Sequence, residues 1–250
     1  MAILIPSCKP SCNGRAERHN TKMLRFRGRL ITYGLVLMSL PIAGFSIPAG
    51  RMIVDAAADI QVTAELSTKN VRTEESNLAD VIVDAVKNVE KTDGAFVQAS
   101  SFTDVTIAKG SASADDILKA LEYKDDTVVV VKLTGAQIRK ALEHGLTLLP
   151  QKNSAFLQVS GIYANVDPAA EKDKRVTSLR VGSSAVKDDK TYTIAMPSPL
   201  ANGALGYFKI WDKKAVDHDT NKSLSQAVTD YLASVKSLGA KSEERLAIKR

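Results

Sequence analysis

Cysteine, histidine and aromatic residues are scarce in this 250-residue chain, and each scarcity excludes something. Both cysteines, Cys8 and Cys12, precede residue 59, so residues 59–250 contain no disulfide, thiolate nucleophile or cysteine-ligated metal. Only His144 and His218 fall in that region. Two histidines are too few for a two-metal phosphatase centre, whose ions sit about 3.5–4 Å apart among several His, Asp and Asn ligands. The sequence also lacks a Gly-x-Ser-x-Gly elbow, a Walker loop and a Gly-x-Gly-x-x-Gly fingerprint. With 44% hydrophobic, 25% charged and 5% aromatic residues, it is not a disordered polyampholyte, a collagen-like repeat or a polytopic membrane protein.

An excess of one charge is missing too, once the first 58 residues are set aside. The formal net charge is +6, but residues 1–58 hold eight Lys and Arg against Glu17 and Asp55. Of 34 cations and 28 anions, 26 of each therefore remain in residues 59–250. The basic balance belongs to the leader, and no nucleic-acid partner is expected. Within that leader, Arg25, Arg27 and Arg29 stand before an uncharged apolar run from Leu30 to Ile47. This is the layout of a secretory signal or an N-terminal anchor. Pro41, Gly34 and Gly44 weaken the run as a permanent span, and Ile47-Pro48-Ala49 or Ala56-Ala57-Ala58 offers small residues for cleavage. Met23 makes a more ordinary start than Met1. The expectation is a leader over residues 1–58 and one exported domain over 59–250, periplasmic or envelope-associated, touching a membrane only through the leader.

Hydrophobic periodicity organises the body. Residues 59–75 are polar and read as a linker or a first strand. Asn77 to Glu90 carries apolar residues at 78, 82, 85, 86 and 89, a helical stripe that Ser76 or Asn77 can cap. Ala95-Phe96-Val97 reads as a short buried strand, and Ser113-Ala114-Asp115-Asp116 opens a second helix. Val128 to Val131 is continuous rather than alternating, as in a strand covered on both faces. Thr134-Gly135-Ala136-Gln137 and Ser223-Leu224-Ser225-Gln226 are capping boxes, each opening an amphipathic helix; Gly145 stops the first of them. Strands are expected over 156–166, 176–181 and 191–196, the last ended by Pro197 and Pro199. The interleaving predicts a mixed α/β (α+β) fold without the spacing of a regular doubly wound sheet. Asp217-His218-Asp219 reads as a solvated turn, and His144 as a structural residue beside a helix-stopping glycine. The carboxylate pairs 115/116, 125/126 and 188/189 read as turns and helix starts.

The order of these segments resembles the C-terminal domain of the bacterial 5′-nucleotidase family, over roughly residues 70–236. The carriers are Thr127 to Ile138 with its Leu-Thr-Gly turn, Phe156 to Ile162, Thr191 to Ala195, Leu200-Ala201-Asn202-Gly203, and Asn77-Leu78 with Asp80. The resemblance implies sheets covered by helices. It also implies a substrate-binding role for the nucleoside part, the two metals belonging to an N-terminal metallophosphatase domain for which this sequence has no room.

The family's binding motifs are altered here. Its arginine-bearing glycine turn corresponds to Gln98–Thr103, with Thr103 at the arginine position and Ser100 among the small residues. Its Pro-Phe-x-Asn segment falls on Tyr123-Lys124-Asp125-Asp126, and its second stacking aromatic falls near Pro199. Its Gly-Gly-Asp-Gly-Tyr loop becomes Gly203-Ala204-Leu205-Gly206-Tyr207. Losing a stacking ring and an arginine costs roughly 3–6 kcal/mol of nucleotide affinity. The resemblance thus implies candidate ligand contacts at Ser100, Thr103, Tyr123, Lys124, Asp126, Asn202, Gly203, Gly206 and Tyr207, around one cleft. Tyr123 and Tyr207 are the aromatics expected to stack. No catalytic residue, metal or cofactor is expected. The reading is a stand-alone, non-catalytic ligand-binding module for a nucleoside-like molecule. Its rivals are half of a split hydrolase with a separately encoded metallophosphatase domain, and a structural adaptor of the cell envelope.

Overall fold

The computed structural model describes residues 59–239 and 243–249. The leader, with its apolar run and cleavage sites, lies outside the described residues. In chain order, β1 (Ile60–Val62) and β2 (Leu66–Ser67) precede α1 (Asn77–Asn88), β3 (Gly94–Gln98), β4 (Thr106–Ile107), β5 (Gly110–Ala112) and α2 (Ala114–Leu118). Next come β6 (Thr127–Thr134), α3 (Gly135–Gly145), β7 (Leu157–Ser160), β8 (Ile162–Val166), β9 (Val176–Val181) and β10 (Ser184–Ala185). The chain continues through β11 (Thr191–Pro197), α4 (Ser198–Ala201), β12 (Val216–Ser223), α5 (Leu224–Ser234), β13 (Ser237–Leu238) and β14 (Leu246–Ile248). This is a mixed α/β arrangement, as the interleaved pattern predicts.

The central sheet has the order β12-β6-β11-β3-β7. β3 and β11 run parallel, while β6 and β7 run antiparallel to their neighbours. All four valines of β6 are buried, in keeping with their continuous apolar run. α1 buries Leu78, Ile82, Ala85 and Val86 of its predicted stripe, Val89 falling just past its end and only partly buried, and it packs against β7, β3 and α5. Both predicted capping boxes form: Thr134 Oγ1 accepts from the Gln137 N–H at 3.2 Å and Ser223 Oγ from Gln226 at 3.2 Å, with reciprocal glutamine bonds. A third box joins Ser113 and Asp116, which places the 115/116 carboxylates at a helix start. Gly135 is required by space. A Cβ there would lie 2.2 Å from the Lys187 carbonyl oxygen, because the β10–β11 connection passes directly over the start of α3.

Residues 59–75, read as a linker or a first strand, contain two strands, β1 and β2, each in a small sheet of its own. Two expectations are corrected. The strand expected over 156–166 is broken at Gly161: β7 belongs to the central sheet, and β8 to a second sheet ordered β10-β9-β8-β14. Asp217-His218-Asp219 is part of β12, a solvent-facing edge strand rather than a turn. Its Asp217 accepts from Lys132 at 2.6 Å and its Asp219 from Thr127 at 2.7 Å, both on β6.

The C-terminal segment is fixed by charge as well as by pairing. β14 lies parallel to β8, and Arg245 just before it is only 3% exposed. Its guanidinium donates to Asp84 Oδ2 at 2.9 Å, the Val159 carbonyl at 2.9 Å and Glu243 Oε2 at 3.2 Å. Asp80 Oδ1 stands 3.7 Å away. Burial pushes the Asp80 carboxyl up to about 9, against the opposing pull of Arg245, and nearby Glu75 and Asp84 push the same way as burial.

Candidate functional site

Strand direction gathers the candidate segments at one edge of the central sheet. β3 and β11 are parallel, so residues 99–103 and 198–207 leave the sheet on the same side. β6 is antiparallel to β11 with Val128 opposite Pro197, which brings residues 123–126 to that side as well. β7 adds Ser154 and Ala155, since Leu157 pairs with Gln98.

The 99–103 turn is bonded to residues 120–122, which lead directly into the 123–126 segment. The Thr103 N–H donates to the Ala120 carbonyl at 3.0 Å, and the Glu122 N–H to the Ser101 carbonyl at 2.9 Å. The third joins them through residues 154–156. The Ser100 N–H donates to the Ser154 carbonyl at 3.1 Å, and Tyr207 Oη to the Ala155 carbonyl at 2.6 Å. The carbonyls of Lys124 and Asp126 accept from the Ser225 and Leu224 N–H groups at 3.0 and 2.9 Å. The 123–126 segment is thereby pinned across the first turn of α5, whose N–H groups have no partner within the helix.

The individual side chains divide into open and committed ones. Tyr123 is 53% exposed and Lys124 is exposed. Asp126 is partly buried, one of its oxygens has no hydrogen-bond partner, and burial together with Asp125 pushes its carboxyl up. Thr103 is committed: its Oγ1 donates to the Lys119 carbonyl at 2.5 Å, and its own carbonyl accepts from Thr68 Oγ1 at 2.6 Å. Asn202 caps α4, its Nδ2 donating to the Ser198 carbonyl at 2.8 Å. Pro199 sits in the first turn of α4, where a missing N–H costs nothing. Gly203 adopts φ 87°, and a Cβ there would lie 2.7 Å from Phe208 Cα; Gly206 has φ 90° and faces the His144 ring.

Tyr207 is corrected from a stacking residue to a core one. It is fully buried, its ring stacked on Trp211 at 5.0 Å and met edge-on by His144 at 4.7 Å. No ring face is left open, and burial pushes its phenol well above the usual value. His144 is structural in a different way from the expected helix-end contact: its Nε2 meets the Leu205 carbonyl oxygen at 2.8 Å, which sets Nε2 as the donor. The aromatic that the sequence reading missed is Phe208, 64% exposed on the same loop. The signal was the adjacent pair Tyr207-Phe208, one of which had to turn outward.

Among the described residues, no group of three or more His, Cys, Asp or Glu is placed to hold a metal ion, and no helix is long and apolar enough to cross a membrane.

A family model described as "5'-nucleotidase, C-terminal domain" matches residues 52–212. The chain is 27% identical over 190 residues to the 5'-nucleotidase of Mus musculus, covering 68% of this chain and 33% of that protein. It is 29% identical over 160 residues to an apyrase of Anopheles gambiae, covering 62% and 27%. Among solved structures, the 5'-nucleotidase precursor from Thermus thermophilus superposes with a TM-score of 0.68 at 26% identity, over 76% of this chain and 39% of that one. The chain therefore spans about a third of the length of the relatives it matches.

Proposed function

This chain belongs to the 5'-nucleotidase C-terminal domain family, and on that premise we propose that it is an exported ligand-binding module for an uncharged nucleoside-like molecule, without phosphatase activity of its own. The observation that carries the reading is the convergence of residues 99–103, 123–126 and 202–207 at one sheet edge. There Tyr123 offers an open ring. The same segments offer a phosphate only one cation, Lys124, beside the adjacent carboxylates of Asp125 and Asp126. Thr103, at the position of the family's arginine, brings no charge, and its hydroxyl is already engaged. A ribose or base presents neutral donors and acceptors, which suit this edge better than a dianion does.

Assay of the purified chain against a mononucleotide with added divalent metal is expected to give no phosphate release. Metal-dependent release that disappears when a residue of this chain is changed would refute the non-catalytic part of the reading. Export rests on the arginine flank and the Leu30–Ile47 run. A reporter active only outside the cytoplasm, fused behind this leader, is expected to be active, and cytoplasmic retention would overturn that element.

A second reading is the substrate half of a hydrolase, since the family model matching residues 52–212 describes a C-terminal domain. Co-purification with a separately encoded metallophosphatase domain, with phosphatase activity appearing only in the mixture, would establish it.

A further inference from the structure

A cavity of about 840 Å³ runs along α3, lined by Leu205 of the 202–207 loop but by none of residues 99–103 or 123–126, and falls in the size range of small-molecule sites. Its apolar wall is made by Leu148, Leu205 and Ile210. Leu148 and Leu205 are 47% and 41% exposed, unusual for large aliphatic side chains with a core available to them. Leu205 also holds a left-handed backbone, φ 56° and ψ 25°, which a branched residue adopts at some cost. The His144 contact to its carbonyl keeps the loop in that conformation and Leu205 at the cavity wall.

The charged groups around the cavity are unequal. Arg139 stands 4.0 Å from Asp188 and donates to the Val176 carbonyl, while Glu143 is buried and accepts from the Val176 N–H at 2.7 Å. Lys140, Lys172 and Lys209 line the cavity with no carboxylate partner among the described residues, and with Arg139 they outnumber the lining carboxylates Glu143, Asp173 and Asp188 by one.

We infer that this cavity is a second binding site, for an amphipathic organic anion: an apolar ring or branched body against Leu148, Leu205 and Ile210, with its acidic group toward the lysines. The site shares the 202–207 loop with the sheet-edge site but none of the residues proposed there as ligand contacts. Its test is fluorescence titration of the full chain with 8-anilinonaphthalene-1-sulfonate, an aromatic body carrying one sulfonate. Saturable binding at a single site is expected, weakened by added salt. Leu205→Asn is expected to weaken it about tenfold through loss of apolar contact, while asparagine tolerates the left-handed backbone and so preserves the loop. Lys209→Glu is expected to weaken it by a similar factor, and Tyr123→Ala to leave it unchanged. Absence of saturable binding, or binding that both Leu205→Asn and Lys209→Glu leave intact, would overturn the inference, as would loss of binding in Tyr123→Ala.

Discussion

Replacing Arg245 by methionine tests how the C-terminal segment is held. Methionine fills much of the arginine stem but removes the guanidinium, and with it the bonds to Asp84 and to the Val159 carbonyl, both at 2.9 Å. Removing one partner of a buried ion pair costs about 3–5 kcal/mol, because the other charge stays behind uncompensated. Here the lower end applies. Asp84 retains 28% side-chain exposure and Glu243 55%, so water takes over part of their solvation. Asp80, held up to about 9, is already neutral near pH 7 and needs no counter-charge. A loss of about 3 kcal/mol lowers the melting temperature of a domain this size by about 6–12 °C. Urea and thermal unfolding followed by circular dichroism measure both quantities. Adding Asp84→Asn to the same chain is expected to restore at least about 1 kcal/mol, since the stranded carboxylate is then gone. A loss below about 1 kcal/mol, or a double variant that is simply the sum of the two single ones, would refute the buried-pair account.

Three further outcomes rest on the same geometry. Asp80 keeps in the fold a proton that the unfolded chain releases above its ordinary value, so its contribution worsens as pH rises toward about 9. Asp80→Asn is therefore expected to gain on the parent by up to about 1.4 kcal/mol per pH unit across the neutral range, and a pH-independent difference between the two unfolding curves contradicts the raised value. Tyr207→Phe keeps the stack on Trp211 but strands the buried Ala155 carbonyl, with an expected cost of about 1–3 kcal/mol in chemical denaturation; no loss means that the hydroxyl bond contributes nothing. Gly135→Ala forces a Cβ to within 2.2 Å of the Lys187 carbonyl oxygen and is expected to destabilise by at least about 1–3 kcal/mol, whereas a parent-like melting temperature would place the β10–β11 connection elsewhere.

What could be read from the sequence depended on how local its cause was. α1, α3, α5 and β6 were legible because periodicity, capping boxes and a continuous valine run are encoded within a dozen residues. β2, β4 and β13 have two residues each and exist only through distant partners, so no local pattern announces them. β12 was misread because a solvent-facing edge strand has no apolar alternation; its position comes from register with β6. The partnership of Arg245 with Asp84 spans most of the chain and was invisible for the same reason. At the candidate site, the altered motifs picked out segments that leave the central sheet at the same strand ends. They did not indicate which ring of Tyr207-Phe208 turns inward, a choice made by the space beside Trp211 and His144.

The central claim is tested most directly by titration calorimetry of the chain with a nucleoside and, in parallel, its 5′-monophosphate. A site at the Tyr123–Asp126 edge without the family's arginine binds the nucleoside at least as tightly as the monophosphate, and Tyr123→Ala weakens both by about 1–3 kcal/mol, the contribution of one stacked base. Clearly tighter binding of the monophosphate, abolished by Lys124→Ala, would mean that Lys124 has taken over the cationic role and would contradict the account.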